Sequence, residues 1–243
     1  MLFTNIKNRF STLDKRSAIV IKNSMATALM KVAILLCSLI MVPITLNYLN
    51  AENYGIWMAM TSILYWFAFF DVGLGNGMRN YLSEAISRQD YIKARSYFST
   101  AIFLLAIIAV LIGILSIIII FQLDLNHIFN THIMSNKSLA YIMVVAISFS
   151  LIQFVAKNVG MVYIAMQRYA INDFIVFIGQ LISTIIVYII TKTTESHLIY
   201  IVIAITSIPA LVFILASIPL LKQHPQLKPS IKTPKTMTGA ATI

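Results

Sequence analysis

The chain has 243 residues, a formal charge of +10, 59% hydrophobic residues and only 11% charged ones. Water-soluble domains carry roughly 25% charged residues, so so much apolar surface exceeds what one soluble core could hide. The composition excludes an ordinary soluble domain and points to an all-α integral membrane protein. The bases sit between and outside the apolar runs, where they hold loops at the cytoplasmic face rather than bind nucleic acid.

Cys37 is the single cysteine, which rules out an intramolecular disulfide or a CxxC site within the chain. A polar, basic segment, 1–23, comes first and lacks the cleavage pattern of a signal peptide. Runs of about 20 apolar residues, enough to cross a bilayer, follow in order at Ser24–Leu49, Tyr54–Leu74, Phe98–Leu123, Leu139–Tyr163, Phe174–Thr191 and Ile199–Leu221. Together they predict one bundle of about six transmembrane helices over 24–221. A proline-bearing polar tail, 222–243, reads as cytoplasmic and disordered. Lys and Arg concentrate in the N-terminal segment, the loop after the second span, the loop after the fourth and the tail. That asymmetry predicts that both termini are cytoplasmic.

The stretch FFDVGLGNGMRNYLSEA holds three of the chain's eight glycines within five residues. GLGNG lacks the spacing and the strand–turn–helix setting of a dinucleotide or P-loop site. Glycine and asparagine accept left-handed backbone angles that end helices, so the stretch is expected to stop span two at the inner side. Tyr81, Leu82, Ala85 and Ile86 then have the spacing of a short helix on the membrane surface. Asp90 is placed to cap the helix entering span three, and Asp173 the helix of span five. His127 and His132 lack a third ligand at metal spacing, so no metal and no cofactor is expected.

Charges inside apolar spans point to function. Ser24, Thr27, Lys31, Ser38 and Thr45 fall near one face of span one, and Ser150, Gln153, Lys157 and Gly160 share a face of span four. Two lysines at comparable depth on polar stripes suit an anionic head group. The competing reading is that both side chains snorkel to the interface and bind nothing. Lys31, Lys157 and Gln153, with Asp71 and Arg79 beside the glycines, form the candidate cavity set. Pro43, Pro209 and Pro219 interrupt helical ladders and could bend them.

The passage NYGIWMAMTSILYWFAFFDVGLGNGMRNYLSEA, Asn53 to Ala85, combines an early YGIW with D-x-G-L-G-N-G-x-R-N. It resembles the second span and following loop of bacterial O-antigen and polysaccharide flippases, of the multidrug/oligosaccharidyl-lipid/polysaccharide superfamily. The motif residues are Asp71, Gly73, Gly75, Asn76, Gly77, Arg79 and Asn80. The resemblance implies translocation of a polyprenyl-diphosphate-linked oligosaccharide across the bacterial inner membrane by alternating access, without enzymatic chemistry. Members of that family have about twice as many spans, in two bundles. The chain therefore looks like an N-terminal half, to be completed by a second copy or by a missing C-terminal half. Two alternatives stand beside it: a membrane enzyme acting on polyprenyl-phosphate sugars, and a non-transporting remnant. The few acids form no DxD or DD pair, which disfavours the enzyme.

Overall fold

The computed structural model describes residues 15–229 and, within them, the side chains of 21, 23–66, 75 and 77–229. The described residues form helices and turns, with no strand. We number the helices α1 (Lys15–Ser87), α2 (Tyr91–Gln122), α3 (Leu125–Phe129), α4 (Asn136–Ala156), α5 (Asn158–Ala165), α6 (Tyr169–Thr193) and α7 (Leu198–Gln223); a 3-10 turn, Pro225–Leu227, follows. Five runs are long and apolar enough to cross a membrane: Asn23–Trp66, Tyr91–Gln122, Asn136–Ala165, Tyr169–Thr193 and Leu198–Gln223. The fold is that of an all-α membrane protein.

The first run accounts for the difference between five and the expected six. It is 44 residues long, about 66 Å if straight and roughly twice the hydrocarbon thickness. It is broken at Asn50, where φ is 64° and ψ is 171°. The Asn50 Oδ1 accepts from the Asn53 backbone N–H at 3.1 Å and so caps the arm that follows. The expected first and second spans are thus two arms of α1, and the segment between them is a break in a helix, not a loop.

Contacts define two ends of the bundle. At the first end, Tyr48 Oη bonds Thr194 Oγ1 at 2.7 Å and also meets the Glu195 carbonyl, tying α1 to the α6–α7 connection. Across the break, Thr131 donates through Oγ1 to Glu52 Oε1 at 2.6 Å. The second end gathers the turns at 88–90 and 166–168 and the segment after α7. Leu49, Ile56, Met60, Leu139, Val187 and Leu198 belong to a core near the first end. Leu82, Ala85, Phe98, Val162, Leu220 and Leu227 belong to one near the second. Outward faces stay apolar: Leu29, Leu36 and Leu39 on α1 and Ile107, Leu111 and Leu115 on α2 are exposed. In hydrocarbon these carry no exposure penalty, and every helix satisfies its own backbone.

Four local expectations are corrected. The glycine stretch does not stop a helix, because α1 runs through Gly73, Gly75 and Gly77 to Ser87. Glycine inside a helix costs about 1 kcal/mol relative to alanine, less than leaving backbone groups unbonded near lipid. The expected surface helix is the last stretch of α1, with Leu82 and Ala85 packed into the second-end core. Asp173 is not an N-cap: α6 begins at Tyr169, and Asp173 lies within it, accepting from Asn172 Nδ2 at 3.2 Å. The start of the tail is ordered, with Leu227 fully buried; the remainder from 230 lies outside the described residues. Asp90 does cap α2, accepting from the Lys93 backbone N–H at 3.0 Å.

Candidate functional site

The polar stripe of span four lies on α4, and α4 and α5 form one 30-residue crossing run, Asn136–Ala165. The ladder is disturbed where they meet. The Lys157 N–H donates to the Gln153 carbonyl at 2.9 Å, whereas the Gly160 N–H bonds the Lys157 carbonyl at 2.9 Å in a tighter, 3-10-like pattern. Asn158 fills the disturbance from its fully buried position, donating through Nδ2 to the carbonyls of Phe154 at 3.0 Å and Val155 at 3.3 Å.

Ser150, Gln153, Phe154 and Lys157 form one wall of a cleft of about 320 Å³. Trp57, Thr61, Leu64 and Tyr65 come from the second arm of α1, Gln180 from α6, and Ile205, Thr206 and Pro209 from α7. Lys157 is eight residues from the end of α5, about 12 Å of helix rise, so the cleft sits well inside the crossing length. The size lies at the lower end of the range for small-ligand sites, roughly 300–1,000 Å³.

The chemistry is donor-rich. Lys157 offers an ammonium, and Gln153 and Gln180 offer amides that donate and accept. Thr61 donates to the Met58 carbonyl at 2.8 Å and Thr206 to the Val202 carbonyl at 2.7 Å. Both hydroxyls have committed their hydrogens and keep lone pairs for accepting. Among the described residues, no carboxylate lines the cleft. The Lys157 Nζ lies 5.6 Å from the centroid of the buried Phe154 ring, close enough for a cation–π attraction. A cation held among spans costs roughly 2.5–3.5 kcal/mol on insertion scales. Such a lining suits a solute with anionic oxygens and hydroxyls.

Of the candidate residues, the cleft brings together Lys157 and Gln153. Lys31 is exposed on the first arm of α1 and is not part of the lining. Two other members of its stripe bond within their own helix: Ser38 donates to the Ile34 carbonyl at 3.0 Å and Thr45 to the Met41 carbonyl at 2.7 Å. Arg79 is half-buried near the second end and donates to Asn80 Oδ1 at 3.4 Å. Gly75 is buried, and a Cβ at Gly77 would meet open space. The side chains of Asp71, Gly73 and Asn76 lie outside the described residues. Thr61, Gln180 and Thr206 are lining residues that the sequence reading missed. Gln180 could have been found as the lone amide in the apolar run of α6, whereas Thr61 and Thr206 carry no such signal. Among the described residues, no group of His, Cys, Asp and Glu could hold a metal ion.

No protein-family model matches the chain, and no solved structure matches it. Part of it is similar to a Salmonella typhi protein named "Putative O-antigen transporter", with 36% identity over 56 residues. The aligned part is 23% of this chain and 13% of that protein's length. The similarity is compatible with the flippase family and goes no further than this segment.

Proposed function

We propose that the chain takes part in moving a lipid-linked oligosaccharide across a bacterial inner membrane by alternating access, with the diphosphate–sugar head passing through the Lys157 cleft. The observation that carries this reading is a cationic, amide- and hydroxyl-lined cleft enclosed by four separate membrane helices. The partial similarity to an O-antigen transporter supports the choice of cargo. Lysine attracts phosphate as a point charge, and the glutamines and threonines suit sugar hydroxyls. Pro209 lines the same cleft, and it also packs against Gly179 of α6, where a Cβ would lie 3.4 Å from the proline Cα. Rocking of α7 on α6 would change the width of the cleft there. A second copy of the chain, or another bundle of similar topology, would complete the walls on the side left to lipid.

The test is complementation of a bacterial strain that lacks its own O-antigen flippase, read as surface polysaccharide on a gel. Loss of one charged hydrogen bond is worth about 1.5–3 kcal/mol, so Lys157→Ala is expected to reduce export by roughly 10- to 100-fold. Gln153→Ala should reduce it less, and Lys31→Ala, outside the cleft, should leave it unchanged. Full export by Lys157→Ala at equal protein level would remove the cleft from the mechanism. Sugar transfer by purified protein without translocation would replace the transport reading with a membrane enzyme.

A further inference from the structure

A second and larger hollow lies elsewhere on the bundle. It is a groove of about 530 Å³ between α2, α4–α5 and α7, and it shares no residue with the Lys157 cleft. Its walls include Phe98, Ala106 and Val110 of α2, Ile152 and Ala156 of α4, and Leu221 of α7. The one hydroxyl in the lining, that of Ser217, already donates to the Ile214 carbonyl at 2.6 Å. The lining therefore offers no free donor to an anionic head.

Depth and charge identify what fits. Along α2 the lining runs from Phe98 to Val110, about 18 Å of helix rise, a little more than half of the roughly 30 Å hydrocarbon core. That is the depth of one leaflet. The groove reaches the second end, where Pro229 joins its lining. Arg95, one turn before Phe98, donates through Nε to the Lys228 carbonyl at 2.8 Å, which fixes it beside that end of the groove. Lys222 follows Leu221 directly. Arg95, Lys222 and Lys228 are all exposed. Two nearby acids are engaged elsewhere: Glu84 pairs with Arg88 at 2.8 Å and Asp90 with Lys93 at 3.2 Å. The mouth is cationic, and among the described residues no carboxylate lines the groove.

We infer that this groove is a binding site for an anionic phospholipid of the bilayer, with one acyl chain in the groove and the phosphate held at the mouth by Arg95 and Lys222. The apolar walls take the chain, and the bases discriminate among head groups. The site is separate from the proposed transport cleft and does not depend on it.

The test uses the full chain, purified in detergent and stripped of lipid. Oleoyl-chain phosphatidylglycerol or phosphatidylcholine is added back, and retained lipid is counted by native mass spectrometry. Each base near the head group favours an anionic lipid by about fivefold. Wild type should retain phosphatidylglycerol well over phosphatidylcholine, and Arg95→Gln and Lys222→Gln should each reduce that preference by about fivefold. Ala156→Trp, which fills the groove, should abolish retention of both lipids, with circular dichroism confirming unchanged helix content. Both charge substitutions are at exposed positions, so they report even if the tryptophan variant misfolds. Equal retention of the two lipids by wild type would overturn the proposal. So would unchanged phosphatidylglycerol retention in a folded Ala156→Trp variant. If that variant instead turned a dimer into a monomer with lipid retention unchanged, the groove would belong to a second copy and the lipid site would fall.

Discussion

Single residues show how position decides what a polar group does. Lys31 and Lys157 look alike in sequence, each a lone lysine within an apolar run. Lys157 occurs where the helical ladder tightens and lines a cleft with Gln180, Thr61 and Thr206 of neighbouring helices; Lys31 lies on an outward face among exposed leucines. Asp90 is a simpler case at the bundle's edge. The Lys93 backbone N–H that it accepts, with further help from the Lys93 side chain, holds its carboxyl below the usual range. A depressed folded value means that the carboxylate stabilises the fold above the unfolded value of about 3.9, and that this contribution fades as pH falls through the folded value. Asp90→Asn keeps a capping oxygen but cannot titrate. Thermal unfolding in detergent should therefore show a smaller loss of stability below about pH 4 in Asp90→Asn than in wild type. An identical acid dependence would remove Asp90 from the pH response.

Helix ends follow a rule that the glycine stretch concealed. Gln89, Asn130 and Gln167 have positive φ values of 58°, 47° and 60°. At Gln89 the N–H donates to the Ile86 carbonyl at 3.0 Å, while the Asp90 N–H reaches Ala85 at 2.9 Å. That is the Schellman pattern, and it repeats at Gln167, with bonds to Ile164 at 2.9 Å and from Arg168 to Tyr163 at 2.8 Å. Two helices thus end at glutamine, in a conformation that costs a non-glycine residue roughly 1–2 kcal/mol. Gln89→Gly and Gln167→Gly should each raise resistance to SDS unfolding by about 1 kcal/mol; a loss of stability would show that these side chains matter beyond the turn. Asn50 is the stronger case, since its φ/ψ pair falls where glycine is nearly alone. Relief of about 1–3 kcal/mol exceeds the few tenths lost from the cap, so Asn50→Gly should stabilise as well. Gly160 sets the opposite limit. A Cβ there would collide with Asn172 Oδ1 and press on Phe213, so Gly160→Ala should loosen α5 from α6 and α7 and lower stability by about 1–3 kcal/mol.

For the whole molecule, the distribution of bases is the informative feature. Arg79, Arg88, Lys93, Arg95, Arg168, Lys222 and Lys228 gather at the second end, against Lys137 and Lys192 at the first. The positive-inside rule predicts that the second end faces the cytoplasm. In a Cys37→Ser background, an impermeant maleimide should label Ser135→Cys from outside intact spheroplasts and Arg88→Cys only after permeabilisation. The reverse labelling would invert the topology and place the basic groove mouth in the outer leaflet.

Hydropathy alone determined that this is an all-helical membrane protein, because a run of apolar residues long enough to cross a bilayer has few other stable conformations. The stripe of Ser150, Gln153 and Lys157 was legible for a related reason, since polar groups in such a run stand out singly. Partnership between helices was not legible. Whether Lys157 shares a cleft with Gln180 and Thr206 or reaches lipid depends on how α1, α6 and α7 pack around α4, and side chains distant in sequence decide that packing together. The glycine stretch was misread because local propensity favours a stop, whereas the tertiary structure needs α1 to continue and bury Leu82 and Ala85. Helix-ending propensity is worth about 1 kcal/mol per residue; burial of two apolar side chains and an unbroken backbone ladder outweighs it.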